Sequence, residues 1–224
     1  MLKIEKFTVE NLEKNCVTDN PAPRFSFALK SENNGVSLKE AAICLNEWKK
    51  ITTEQVLVPY GGKPLKPFTK YCVKISAEDN FGEEACAETA FETGRMGTPW
   101  LAEWITDGSY QFREKRVSPV PMTFRRNLNV KKTLTRARIY ATAMGIYDIY
   151  IDGKRVSDRY FAPGFTSYKH TLQYQTYDVT DMLGGKNEVT FVVAGGWAVG
   201  SFVFTRKNRI TADRQPLLAE IRLD

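Results

Sequence analysis

The sequence has one histidine, His170, and no pair of cysteines in the C-x-x-C spacing that usually opens a zinc site. Its four cysteines, Cys16, Cys44, Cys72 and Cys86, all lie in the first half of the chain, away from that imidazole, so a mixed Cys/His metal cluster is set aside. Long apolar runs are also missing, and none approaches the roughly 20 residues that a membrane helix needs. The first ten residues alternate charged and apolar side chains without an apolar block, which does not match a secretory signal. These absences lead us to expect four reduced, mostly buried thiols in a cytoplasmic protein. Gly184-Gly185 and Gly195-Gly196 lack the G-x-x-x-x-G-K context of a phosphate-binding loop. No G-x-S-x-G elbow is present, so His170 has no serine-hydrolase setting. Stretches with helical periodicity are scarce.

What is present is the composition of a folded protein, with 42% hydrophobic and 26% charged residues over 224 positions. Single cores usually run to about 100–150 residues, so two modest cores are expected. The charge is divided unevenly: residues 1–97 hold 13 Lys and Arg against 14 Asp and Glu, whereas residues 98–224 hold 19 against 12. Twelve of those nineteen cations are Arg, but they are dispersed along alternating segments. A solvated face explains them better than a phosphate-tracking stripe, and no nucleic-acid partner is expected.

Short alternating runs bounded by Gly, Pro, Asn and Asp recur along the whole chain, which predicts an all-β fold. In the first half, strands are expected at residues 4–9, 25–29, 42–48, 55–58, 71–78 and 85–91. Leu65, Pro67, Thr69, Tyr71, Val73, Ile75 and Ala77 occupy every second position of one stretch. This resembles the L-x-P-x-T-x-Y-x-V-x-V-x-A pattern of fibronectin type III domains, whose tyrosine corner ties a ring at the core edge back to the preceding loop. Tyr71 is therefore read as structural. Gly94, Gly97 and Pro99 break both helix and strand, which places a boundary near residue 97.

In the second half, strands are expected at residues 122–130, 136–144, 171–179, 188–194, 201–205 and 217–222. Apolar runs on both sides of Asp152-Gly153 predict a two-residue hairpin, because that dipeptide accepts the positive φ angles of a type I′ turn. The number and spacing of strands suit a jelly roll. The expected architecture is two tandem β-sandwich modules, fibronectin type III or immunoglobulin-like over 1–97 and jelly roll over 98–224. The second is expected to be truncated, with an open sheet edge after residues 217–222.

Five ordered motifs give the second half a family likeness: residues 145–156 (GIYDIYIDGKRV), 162–168 (APGFTSY), 174–180 (YQTYDVT), 185–187 (GKN) and 195–197 (GGW). The run resembles the N-terminal jelly-roll module of bacterial α-L-rhamnosidases, glycoside hydrolase family 78. A fibronectin-like module with F-x-T-G and W-x-A-x-W-I at the junction is similar to that family's order, here at residues 91–94 and 100–105. Asp152 stands where the family usually has Asn, and Ala198 where an aromatic often follows Gly-Trp.

The resemblance implies an inverting glycosidase that releases terminal L-rhamnose, using a pair of carboxyl groups about 6.5–9.5 Å apart. In the family that pair belongs to an (α/α)6 barrel downstream. No series of long amphipathic helices is legible here, so this chain is expected to be the inactive N-terminal part of an enzyme. Its expected partners are rhamnose-containing glycosides and the catalytic domain of the same protein. Most of the motif residues set turns and cores. The residues expected to touch sugar are Trp197 and Tyr168, by stacking, and Arg155, by donating to hydroxyls. No cofactor is expected; Asp178 and Asp181 are the candidates for calcium, though a strand end followed by a short helical turn also accounts for them. A free-standing carbohydrate-binding module and a protein-interaction scaffold are the alternatives.

Overall fold

A computed structural model describes residues 1–109, 119–131, 133–201, 209 and 211–224. The chain divides into two compact units, Met1–Pro99 and Trp100–Asp224.

The first unit is a sandwich of eight strands: β1 (Lys3–Val9), β2 (Cys16–Thr18), β3 (Arg24–Lys30), β4 (Leu38–Leu45), β5 (Trp48–Thr52), β6 (Val58–Pro59), β7 (Lys70–Asp79) and β8 (Glu84–Thr93). One sheet has the order β1-β3-β6 and the other β2-β8-β7-β4-β5. Along β7, Tyr71, Val73, Ile75 and Ala77 are buried and the residues between them face outward, as a two-residue period requires. These side chains meet Phe25, Phe27, Ile43, Leu45 and Phe91 from the other strands in one core. The tyrosine corner is formed: the Tyr71 hydroxyl accepts a hydrogen bond from the Lys66 N–H at 2.8 Å, and its ring stacks on Phe91 with centroids 5.5 Å apart.

Three features of this unit differ from the sequence reading. The strand expected over 42–48 is a hairpin, because Asn46 takes φ +52° and Leu45 pairs with Trp48 across the turn. Only Val58–Pro59 is strand within 55–58 and its surroundings, although Gln55 accepts a hydrogen bond from the Phe27 N–H. The short β2, parallel to β8, has no alternating signal in the sequence. The thiols also need correction. Cys16 alone is buried and Cys44 half-buried, whereas Cys72 and Cys86 lie on the outward phase of β7 and β8 and are exposed.

The second unit contains β9 (Met122–Val130), β10 (Ala137–Ala143), β11 (Ile146–Ile151), β12 (Lys154–Arg155), β13 (Gln175–Asp178), β14 (Gly185–Ala194) and β15 (Leu217–Leu223), with a 3-10 turn at Thr180–Met182 and one helical turn, α1 (Gly196–Val199). Its sheets have the orders β13-β10-β15 and β12-β11-β14-β9. Ala137, Ile139, Ala141 and Ala143 face Tyr147, Ile149, Ile151, Val189, Phe191 and Val193 to make the core. The Asp152-Gly153 hairpin forms as expected, with φ +50° and +76°.

All seven residues of β10 are buried, not only the expected apolar phase. The other phase is covered because Arg138 reaches Asp178 at 2.5 Å, Thr142 donates to the Gln173 carbonyl and Tyr140 packs near Tyr174. Of residues 171–179 only Gln175–Asp178 is strand. The strand expected at 201–205 lies, apart from Ser201, outside the described residues.

Candidate functional site

Two glycine-dependent segments project aromatic side chains from one region of the second unit. The first is the connection from β12 to β13. Its backbone is held against β11 where the Tyr147 N–H donates to the Ala162 carbonyl at 2.8 Å. Gln175 donates from Nε2 to the Pro163 carbonyl at 3.2 Å, and the Gly164 N–H closes onto the Phe161 carbonyl at 2.9 Å. Further along, Thr166 donates to the Thr171 carbonyl, and the N–H groups of His170 and Thr171 both donate to the Ser167 carbonyl. A connection tied down at this many points holds its side chains in fixed positions.

The second segment is α1. Gly195, Gly196 and Gly200 allow the chain to reverse directly after β14: a Cβ at Gly195 would lie 2.5 Å from Pro119 Cγ, and one at Gly200 would lie 2.4 Å from the Gly196 carbonyl oxygen. That tight turn places Trp197 beside the first segment. Phe161 and Phe165 meet its ring nearly edge-on, with centroids 5.9 and 6.0 Å away. Tyr168 packs edge-on against Phe165 at 5.9 Å, and Tyr160 lies 6.5 Å from Phe161. Trp197 and Tyr168 are half-buried. Tyr160, Phe161 and Phe165 are 74%, 61% and 58% exposed, a concentration of apolar rings that isolated surface residues do not make.

Arg155 joins this group from β12. Its guanidinium lies 4.3 Å from the centroid of the Tyr160 ring. Nη2 donates to Asp148 Oδ1 at 2.5 Å and to the Arg159 carbonyl at 2.7 Å. The Asp148 carboxylate raises the Arg155 pKa further above its already high value, so the cation is permanent. Nε and Nη1 make no hydrogen bond among the described residues and remain available to a ligand.

Trp197, Tyr168 and Arg155, the residues singled out from the sequence, are thus linked through three rings that the sequence reading passed over. Tyr160, Phe161 and Phe165 occur as three aromatics within six positions of a turn-rich loop, which was the available signal. Arg155's tie to Asp148 had a signal too, since the two face the same side of paired strands across a two-residue turn. Of the calcium candidates, Asp178 accepts hydrogen bonds from Thr180 and pairs with Arg138, while Asp181 sits in the 3-10 turn. Among the described residues no three His, Cys, Asp or Glu side chains gather as a metal site would require. The arrangement can offer apolar ring surface with a fixed cation at its edge.

Comparison with known proteins places both units. Residues 4–97 match the Rha78A-like N-terminal immunoglobulin domain, and residues 132–224 match the α-L-rhamnosidase N-terminal domain. An α-L-rhamnosidase of Formosa agariphila is 31% identical over 160 residues, which cover 68% of this chain and 17% of that protein. One from Streptomyces avermitilis is 39% identical over 94 residues, covering 42% of this chain and 9% of its own length. The chain therefore spans only a small part of the curated relatives it matches. Among solved structures, the α-L-rhamnosidase of Aspergillus terreus superposes over the whole chain and 27% of its own, with a TM-score of 0.85 at 24% identity. The Streptomyces avermitilis α-L-rhamnosidase complexed with L-rhamnose does so over the whole chain and 39% of its own, with a TM-score of 0.86 at 19% identity. These likenesses establish the two-module fold.

Proposed function

Because the chain belongs to the N-terminal region of the α-L-rhamnosidases, we propose that it serves such an enzyme as an accessory and substrate-recognition region. The parent protein would be an inverting glycosidase that releases terminal L-rhamnose from rhamnosides. Its hydrolytic carboxyl pair would lie outside these two modules, in a domain that they support.

The observation that carries the recognition role is the convergence of Tyr160, Phe161, Phe165, Tyr168 and Trp197 beside Arg155. Sugar rings present apolar C–H faces and a rim of hydroxyls. Aromatic rings bury the faces with little loss of side-chain freedom, and a guanidinium donates to the rim.

Two measurements test the reading. Incubated with a chromogenic α-L-rhamnoside, the purified chain is expected to give no turnover above buffer; turnover would put catalysis within these modules. In calorimetry, a rhamnosylated oligosaccharide is expected to bind, with at least a fivefold loss in Trp197→Ala. Absence of binding by the wild-type chain would leave support as the only role.

A further inference from the structure

The immunoglobulin-like unit has an open cleft that the proposed function does not use. It lies between the β4–β5 turn and residues 60–66, and its volume of about 710 Å³ falls within the roughly 300–1,000 Å³ of small-molecule sites. Its wall is the half-buried Trp48. The indole packs edge-on to Tyr60 at 4.9 Å between centroids and lies 6.1 Å from Phe25 on the core side. Tyr60 is itself fixed, because its hydroxyl donates to the Lys63 carbonyl at 2.9 Å.

The indole Nε1–H makes no hydrogen bond among the described residues, and it is not one of the buried N–H groups lacking a partner, so it opens to solvent. Two glycines border it. A Cβ at Gly61 would lie 3.7 Å from Nε1, while one at Gly62 would lie 2.4 Å from Tyr60 Oη and 2.8 Å from Trp48 Cβ. Glycine at 62 lets the backbone press against the ring pair, and glycine at 61 leaves the space in front of the N–H empty. Asn46, exposed at the hairpin tip, has a side-chain amide with no partner among the described residues. Glu47 and Lys63 form an exposed ion pair at 2.6 Å, and Lys66 completes the rim.

We propose that this cleft is a second carbohydrate subsite, accepting one neutral pyranose ring. The ring's C–H face lies along the open side of Trp48, which the buried Tyr60 backs, while its hydroxyls take the indole N–H and the Asn46 amide. The chemistry disfavours other small ligands. Lys63 is paired with Glu47, so a phosphate would meet a carboxylate beside the cations of the rim. A wholly apolar ligand would strand the indole N–H and the amide, at a cost that offsets its burial.

The test is two-dimensional NMR of the full chain labelled with nitrogen-15, in which the four tryptophans give four indole N–H resonances. The Trp48 resonance is assigned from its absence in Trp48→Phe and followed while L-rhamnose or D-glucose is titrated. The expected result is a saturable shift of that resonance, lost in Gly61→Leu. Gly61 does not adopt a left-handed backbone, so leucine is tolerated there, and unchanged backbone amide resonances along β7 and β8 verify that the first unit is folded. No saturable shift with either sugar, or a shift that survives Gly61→Leu, overturns the proposal. A shift confined to the Trp197 resonance overturns it too, while supporting recognition at the aromatic group of the second unit.

Discussion

At the scale of single residues, environment separates side chains of identical chemistry. Burial pushes the Cys16 thiol up to about 11, with the Glu10 carboxylate adding to the shift. Only a thiolate reacts readily with disulfide reagents, so Cys16 is protected both by its pKa and by having 2% of its surface exposed. Cys72 and Cys86 are exposed. In a native titration with an aromatic disulfide reagent at pH 8, these two should react in the fast phase, and Cys16 only when urea unfolds the first unit. Rapid reaction of Cys16 in native buffer, located by mass spectrometry, would contradict the packing around β2. The same contrast marks how far single residues were legible. The outward phase of Cys72 follows from its place between Tyr71 and Val73, yet the general tendency of cysteine toward burial overrode it in the sequence reading. Trp197, Tyr168 and Arg155 stood out by residue type and motif. Tyr160, Phe161 and Phe165 did not, because aromatics in a sequence suggest core, and only the three-dimensional path of the loop exposes them.

At the scale of elements, alternation was enough to locate the long strands, since β7, β9 and β15 coincide with their expected positions to within a residue or so. It failed where local pattern does not decide the outcome. β10 is covered on both faces by long-range partners, and the hairpin turns at Asn46-Glu47, a polar pair without the glycine that marks most two-residue turns. Glycines at element ends carry a testable distinction. Gly153 has φ +76° with no atom near a would-be Cβ, so alanine meets only the left-handed backbone penalty of about 1–2 kcal/mol. Gly145 has φ +148°, and a Cβ there would lie 2.2 Å from the Ala194 carbonyl oxygen. Ala194 pairs with Ile146 at the end of the β11–β14 ladder, so relief requires moving backbone in a central pair of strands. Gly145→Ala should therefore cost about 3 kcal/mol or more, combining backbone strain with a steric shift. Urea midpoints of the two variants at unchanged m-value would check the order. Equal losses would mean that the sheet yields at Gly145 without resistance.

At the scale of the whole molecule, the two units have different charge and separate interiors. The cluster built on Phe25, Ile43, Val73 and Phe91 draws all its buried members from the first unit, and the cluster built on Ile139, Tyr147, Val189 and Leu217 draws all of its own from the second. Each unit holds about 100 residues or slightly more, the size at which one core offsets the conformational entropy of its chain. This division was legible because composition, turn residues and the tyrosine-corner pattern all changed near residue 97. The structure extends the first unit to Pro99, since Arg95 donates from Nη2 to the carbonyls of Thr98 and Pro99 and holds the connector against its own module. A fragment of residues 1–99 should consequently unfold in urea as one cooperative transition. Tyr71→Phe should lower its midpoint, because the half-buried hydrogen bond from the Lys66 N–H to the hydroxyl is lost, at about 0.5–1.5 kcal/mol. Tryptophan emission is a direct reporter, as Trp48 is the only tryptophan before residue 100 and packs on the core. A broad, non-cooperative emission change in the fragment would mean that this core is not self-sufficient. A midpoint unmoved by Tyr71→Phe would mean that the corner does not hold the loop between residues 60 and 70 in place.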